Sequence, residues 1–358
     1  MTNKPEESFR SVHTKNFSNI LQQLNISLIV STYQAGKVIL LRGDGDKLNT
    51  HFRLFHKPMG MAVNNTRLAI GTAYQVVELY NMPAVAKKLE PVGKHDACYI
   101  PRNIHITGDI DIHEMAWGKD ELWVVNTRFS CLCTINTAYS FVPRWRPSFI
   151  TGLGMEDRCH LNGLGLVNEQ PKYVTALGKT NVPQGWRENK ANGGIVMDVE
   201  SNEVICQGLS MPHSPRWYKD QLWVLESGHG SLAKVDLQTG KWSPIVTLPG
   251  FTRGLAFYGP LAFIGLSQVR ETAIFSGIPL TEKQTERNCG IWIVNIQTGE
   301  TIAFLRFEGA VQEIFAVGVM PNIRFPEILE GDEERLSHSY ALPEEALQDV
   351  EVRDNGER

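Results

Sequence analysis

A chain of 358 residues with 42% hydrophobic side chains can bury a sizeable core, and a closed repeat architecture carries this length as one unit. Its formal charge of -4 is uneven: residues 327–358 hold eleven acidic and three basic side chains, net -8, leaving about +4 on everything before them. So weakly basic a body excludes a nucleic-acid footprint, and no stretch approaches the roughly 18 apolar residues of a membrane span.

Residues 1–24 begin polar and end in an amphipathic stretch, Phe17 to Leu24, whose spacing predicts a short helix. The first seven residues lack the basic start and apolar run of a secretory signal, so a cytoplasmic location is expected. The six scattered cysteines (98, 131, 133, 159, 206 and 289) then read as reduced, buried thiols. Two strands follow, Ser27–Thr32 and Lys37–Leu41, joined around Ala35-Gly36.

From here a short pattern returns six times: a polar or small start, then a run of mostly apolar residues. Its copies are anchored at Met59, His113, Asn162, Ser214, Arg253 and Glu313, separated by 54, 49, 52, 39 and 60 residues. After each of the first five come a turn and a second apolar run, as in Leu122–Val125 or Leu222–Leu225. Repeats of this length built from short strands are the signature of a propeller of four-stranded blades. Asp236-Leu237-Gln238-Thr239-Gly240 and Asn295-Ile296-Gln297-Thr298-Gly299 predict tight hairpins between outer strands, and Asp198–Asn202 a looser version.

Thr32-Tyr33-Gln34-Ala35-Gly36-Lys37-Val38 parallels residues 72–78 of the next unit, which makes the N-terminal pair the second and third strands of a blade. The last copy supplies an innermost strand and nothing further. The expected fold is therefore all-β: a six-bladed β-propeller of antiparallel blades over residues 25–326, closed by the N-terminal strands completing the C-terminal blade. An insertion hiding or mimicking a strand would make the count five or seven. Residues 327–358 read as an acidic, flexible, solvated tail. Three segments exceed what a blade needs: 91–109, 178–190 and 267–288.

In a propeller the starts of the innermost strands converge on the axis. The ring is expected to hold Met59, His113, Asn162, Ser214, Arg253 and Glu313, with His160 and His213 beside it and Thr72, Asn126 and Glu226 from the second strands. So many polar groups aimed at one axis predict a small-molecule site. His113, with Glu114 next to it, and His213 are the candidate acid–base groups. Glu226 and Glu313 are candidate catalytic or orienting carboxylates. Arg187, Arg253 and Arg270 suit an anion clamp, with Asn126, Asn162 and Glu271 as further binding candidates. His113, His160 and His213 could ligate a divalent metal, but no His-x-x-His spacing points to one and none is assigned; the cofactor is unknown. The expected function is binding of a small anionic ligand at the mouth, with acid–base chemistry of the hydrolase, lyase or epimerase type. The alternative is a protein-interaction scaffold with an inert channel, its partner held by the rim loops 179–190 and 267–288.

Asn162-Gly163-Leu164 resembles a strand start of the gluconolactonase and senescence-marker propellers, where it supplies a metal ligand; the next repeat here has Ser214 where that family places an aspartate. A broader resemblance rests on Gly185-Trp186-Arg187-Glu188-Asn189-Lys190, Pro212-His213-Ser214-Pro215-Arg216-Trp217 and Gly265-Leu266-Ser267-Gln268-Val269-Arg270-Glu271. These are similar to motifs of a bacterial propeller family of unknown function. That resemblance implies the fold and draws attention to these loops without implying a reaction.

Overall fold

Short apolar runs in each repeat form strands whose two faces pack against the sheets on either side, so that Ile26–Thr32 and Leu261–Ser267 are buried throughout, and the result is six sheets set in a ring. The computed structural model of the chain describes residues 9–269, 276–283 and 285–350. Blade 1 consists of Met61–Val63, Arg67–Gly71, Gln75–Asn81 and Ala97–Ile106, from the axis outward; blade 2 of Ile112–Trp117, Leu122–Asn126, Cys131–Asn136 and Tyr139–Trp145. Blade 3 is Leu161–Val167, Gln170–Ala176, Gly194–Asp198 and Val204–Leu209; blade 4 is Pro212–Tyr218, Gln221–Glu226, Ser231–Val235 and Trp242–Thr247. Blade 5 is Phe251–Tyr258, Leu261–Ser267, Gly290–Asn295 and Thr301–Phe307. The innermost strands pack on one another in cyclic order, blade 6 against blade 1.

Blade 6 closes the ring as the repeat alignment predicts. Ala316–Pro321 pairs antiparallel with Ile26–Thr32, in register from Ile26↔Pro321 to Ser31↔Ala316, and Lys37–Asp44 and Lys47–Leu54 complete the sheet. The N-terminal strands and the innermost strand of the last repeat are thereby locked into one sheet, and no edge is left between first and last blades. The predicted helix is Phe17–Gln23, and its Phe17 and Leu21 are fully buried against blades 5 and 6. Cores lie between adjacent sheets: Trp223, Leu225 and Leu232 of blade 4, for example, pack on Leu255, Ile264, Leu266 and Trp292 of blade 5.

The outer turns take the predicted form. Asp236 Oδ1 accepts from the N–H groups of Gln238 and Thr239 at 2.8 and 3.1 Å, and Gly240 sits at φ +66°. Asn295 Oδ1 accepts from Gln297 at 2.9 Å with Gly299 at φ +77°, and Asn202 takes the left-handed position after Asp198 at φ +60°. At Gly163 the constraint is close approach: a Cβ would overlap Thr175 Oγ1 and the Pro215 ring of the next blade.

Three sequence expectations change. Residues 91–109 are no surplus insertion, because Ala97–Ile106 is the outer strand of blade 1. Two blades also carry a fifth strand: Ser11–His13 edges blade 5, and Pro326–Ile328 runs parallel to the outer strand of blade 1. The acidic segment is consequently anchored at its root. Glu327 is buried, with Arg53 at 2.7 Å, His51 at 3.0 Å and Arg42 at 3.7 Å, while Arg42 donates to the Pro326 carbonyl at 2.8 Å. All six cysteines are free and buried. Among the described residues no helix is long and apolar enough to cross a membrane.

Candidate functional site

The starts of the innermost strands surround a cavity of about 270 Å³ at one end of the ring. Tyr33, Lys57, Asp111, His113, Asp157, His160, Trp186, Arg187, His213, Phe251, Arg253 and Phe315 contribute to its wall. The volume falls just under the roughly 300–1,000 Å³ typical of drug-sized ligands and suits a metabolite. Below it the channel narrows to about 20 Å³ between Glu114, Asn162, Ser214 and Arg216. There Arg216 of blade 4 forms an ion pair with Glu114 of blade 2 and donates to the carbonyls of Leu164 and Leu255 at 3.0 and 3.1 Å. Beyond this bar the opposite end widens again.

A repeated backbone device builds the mouth. Lys57, Asp111 and Met211 each stand two residues before the wall residue of their blade (Met59, His113 and His213) and adopt left-handed φ of +54°, +55° and +49°. In blade 3 Asp157 and His160 are also left-handed, at +47° and +50°, with His160 two residues before the anchor Asn162. Such φ values are uncommon outside glycine and carry strain that surrounding contacts must hold. Here each left-handed kink turns the chain into the channel. It also brings a carbonyl under the imidazole two residues on: His113 Nδ1 meets Asp111 O at 3.1 Å, and His213 Nδ1 meets Met211 O at 2.9 Å.

The imidazoles are tightly enclosed. His113 is 9% exposed and His213 4%. The His113 ring packs edge-on against His160 (4.7 Å) and Phe315 (5.3 Å), and His213 against Phe251 (5.6 Å). Burial holds both well below the usual histidine range, reinforced by His160 and Arg253 at His113 and by Arg253 and His113 at His213. Both are thus neutral near pH 7. His160 Nδ1 sits 2.9 Å from the Asp157 carboxylate, which also accepts from Trp186 Nε1 at 3.0 Å.

Arg253 crosses the face of Phe315 at 3.7 Å and makes no hydrogen bond or ion pair with any acceptor among the described residues. Tyr33, which packs edge-on against Phe315 at 5.6 Å, donates to Glu313. Burial holds the Tyr33 hydroxyl above its usual range, against the opposing pull of Arg253 and with the help of Glu313. The Arg253 guanidinium is lowered by burial and supported by Tyr33, Glu313 and Asp111, remaining a cation.

The structure brings His113, His160, His213, Arg187 and Arg253 to one cavity. Asn162 lies deeper, at 3% exposure, held by Pro212 O at 3.0 Å and Thr175 Oγ1 at 2.7 Å. Glu313 stands behind Tyr33 rather than in the wall, and Phe315, two residues on, takes its place. The proposed catalytic Glu226 is displaced from the site. It is fully buried and accepts from the Ser210 N–H, His229 N–H (3.1 Å) and His229 Nδ1 (2.5 Å). Asn126 likewise turns inward to accept from Phe129 N–H at 3.0 Å. Both end a second strand and cap the following turn, which is why they share a repeat position without facing the axis. Glu114 does not orient His113; successive strand residues diverge, and Glu114 serves Arg216 instead. Among the described residues, no group of three or more His, Cys, Asp or Glu side chains is arranged to hold a metal ion. Arg270 and Glu271 lie outside the described residues.

Sequence reasoning missed Lys57, Asp111, Asp157, Tyr33 and the aromatic lining. Two residues upstream of the anchors Met59, His113, Asn162 and Arg253 the repeat alignment does hold Lys57, Asp111, His160 and Phe251, all of them in the wall, and that is the available signal. Trp186 comes from the insertion at 178–190, where a 3-10 turn, Gly185–Asn189, buries it with Leu177, Met211 and Phe251. The described part of the other insertion joins the same cluster through Val269, Ile278 and Leu280. The two insertions therefore meet beside the mouth, and Arg187 lies 4.9 Å over the Trp186 ring.

No curated protein matches the sequence. Among solved structures the chain is similar to one described as a nidogen/laminin complex, with a TM-score of 0.52 at 8% identity over 83% of this chain and 99% of that one. It is also similar to a protein of unknown function from Bacteroides caccae, with a TM-score of 0.50 at 8% identity over 82% and 98%. At such identity these likenesses speak to the fold alone. The family described as "Domain of unknown function (DUF4915)" matches residues 15–329, nearly the whole ring from the N-terminal helix to the strand that seats Glu327, and the chain belongs to that family.

Proposed function

We propose that the cavity at the mouth binds a small anionic molecule and that His113 and His213 exchange protons with it. Arg253 carries this reading. A guanidinium held over an aromatic ring, with no acceptor for its donors among the described residues, is pre-organised for a bidentate anion, and fixing it in advance lowers the entropic cost of binding. Lys57 and Arg187 add positive charge around it. Asp157 is engaged by His160 and Trp186, and Asp111 lies 3.6 Å from His113. Two neutral imidazoles beside an anchored anion suit proton transfer during hydrolysis, elimination or epimerisation.

Calorimetry with a panel of small carboxylates and phosphates, on wild type and Arg253→Ala, tests the reading. A charge-assisted contact of this kind is worth about 2 kcal/mol, or roughly thirty-fold in affinity. Because the Arg253 guanidinium makes no hydrogen bond among the described residues, the unfolding midpoint should move by no more than about 2 °C. Equal affinity in the two proteins refutes the anion site.

A further inference from the structure

The tautomers of His113 and His213 follow from what their Nδ1 atoms touch. A backbone carbonyl only accepts, so His113 Nδ1 must donate to Asp111 O and His213 Nδ1 to Met211 O. At His213 a second contact agrees: Ser227 Oγ donates to Thr252 O at 2.6 Å, leaving its lone pair toward the imidazole Nδ1 at 3.0 Å. In a neutral ring whose Nδ1 bears the proton, Nε2 is a bare acceptor. Neither Nε2 has a protein partner among the described residues, and neither is sealed from solvent. Both rings line the cavity whose wall also carries Arg253.

We infer that the ligand is a hydroxylated carboxylic acid, its carboxylate on Arg253 and its hydroxyl groups donating to Nε2 of His113 and His213. The inference rests on the anion reading above and adds the second half of the recognition. An acceptor that a ligand covers without offering a donor costs binding free energy, so a pocket with two of them selects for ligands that bring donors. Hydroxyl is favoured over ammonium as the donor because Lys57, Arg187 and Arg253 outnumber the two carboxylates of the wall, Asp111 and Asp157, and Asp157 is already engaged by His160 and Trp186. Phe251, Phe315 and Trp186 supply apolar faces for the carbon chain.

Two measurements test it. In the free protein, long-range ¹H–¹⁵N correlation of the imidazoles should show both rings protonated at Nδ1 and bare at Nε2; Nε2–H on either ring overturns the inference without reference to any ligand. Calorimetry then compares acids of equal chain length: glycerate with propionate, threonate with butyrate, gluconate with hexanoate. At least one hydroxylated acid should bind ten-fold or more tighter than its partner. His113→Phe and His213→Phe, which keep the ring packing, should each narrow that preference, the hydroxylated acid losing more affinity than its plain partner. If plain and hydroxylated acids bind alike and Arg253→Ala abolishes both, the anion site stands and the hydroxyl inference falls. If 4-aminobutyrate binds more tightly than threonate, the hydroxyl assignment falls likewise. If no acid in the panel binds, both readings fall.

Discussion

Protonating Glu327 should release the last strand from the ring. Burial alone would raise this carboxyl, but hydrogen bonding and charge from His51, the Arg53 guanidinium and the Ile328 N–H outweigh it and bring it down to about 2 from an ordinary 4.5. The gap between those two values corresponds to about 3 kcal/mol of folding free energy. The folded value is depressed, so this stabilisation is fully present above pH 4.5 and is lost as pH drops toward 2; at pH 3 about 2 kcal/mol of it is gone. Glu327→Gln removes the charge and strands Arg42 and Arg53 beside a neutral amide, at a cost of about 3 kcal/mol at pH 7. Urea unfolding of both proteins between pH 6 and 3 is the assay. Wild type should lose stability steeply below pH 5, and the difference between the proteins should shrink by about 2 kcal/mol between pH 6 and 3. A difference that stays constant across that range refutes the reasoning, because the pH dependence would then arise elsewhere.

Other parts of the ring make separate predictions. Glu114→Ala leaves the Arg216 guanidinium in the channel without its carboxylate and should cost about 3–5 kcal/mol, whereas Glu114→Leu with Arg216→Met should recover most of that in urea unfolding. Gly163→Ala forces a methyl group into Thr175 Oγ1 and Pro215 and should lower stability by about 3 kcal/mol, read as a drop in thermal midpoint of several degrees. The thiols should be inert in the folded protein. Burial pushes Cys206 up to about 11 and Cys98 and Cys159 to about 12, so an aromatic disulfide reagent at pH 8 should label none of the three until denaturant is added.

The architecture was readable because it depends on local pattern repeated in register. Alternating apolar residues, Asx-Gly turns and the match of residues 32–38 to 72–78 are encoded within single blades. From them blade number and closure follow by the need to leave no open edge. The anchors His113 and Arg253 were found the same way, because equivalent positions in equivalent strands must converge on one axis. Glu226 and Asn126 share that equivalence and yet face inward. Alignment gives a residue's height along a blade, whereas the direction of its side chain depends on which turn it caps.

What the chain alone determined is therefore the ring, its closing blade and a polar mouth carrying histidines and arginine. What only the folded molecule decided is chemical: which imidazole nitrogen is bare, which carboxylates are already engaged, and that Glu327 sits buried among arginines instead of in a solvated tail. Those properties arise from contacts between residues up to hundreds of positions apart, such as Arg42 with Pro326 or Arg216 with Glu114. Burial and hydrogen bonding set them in three dimensions, and no linear spacing records them.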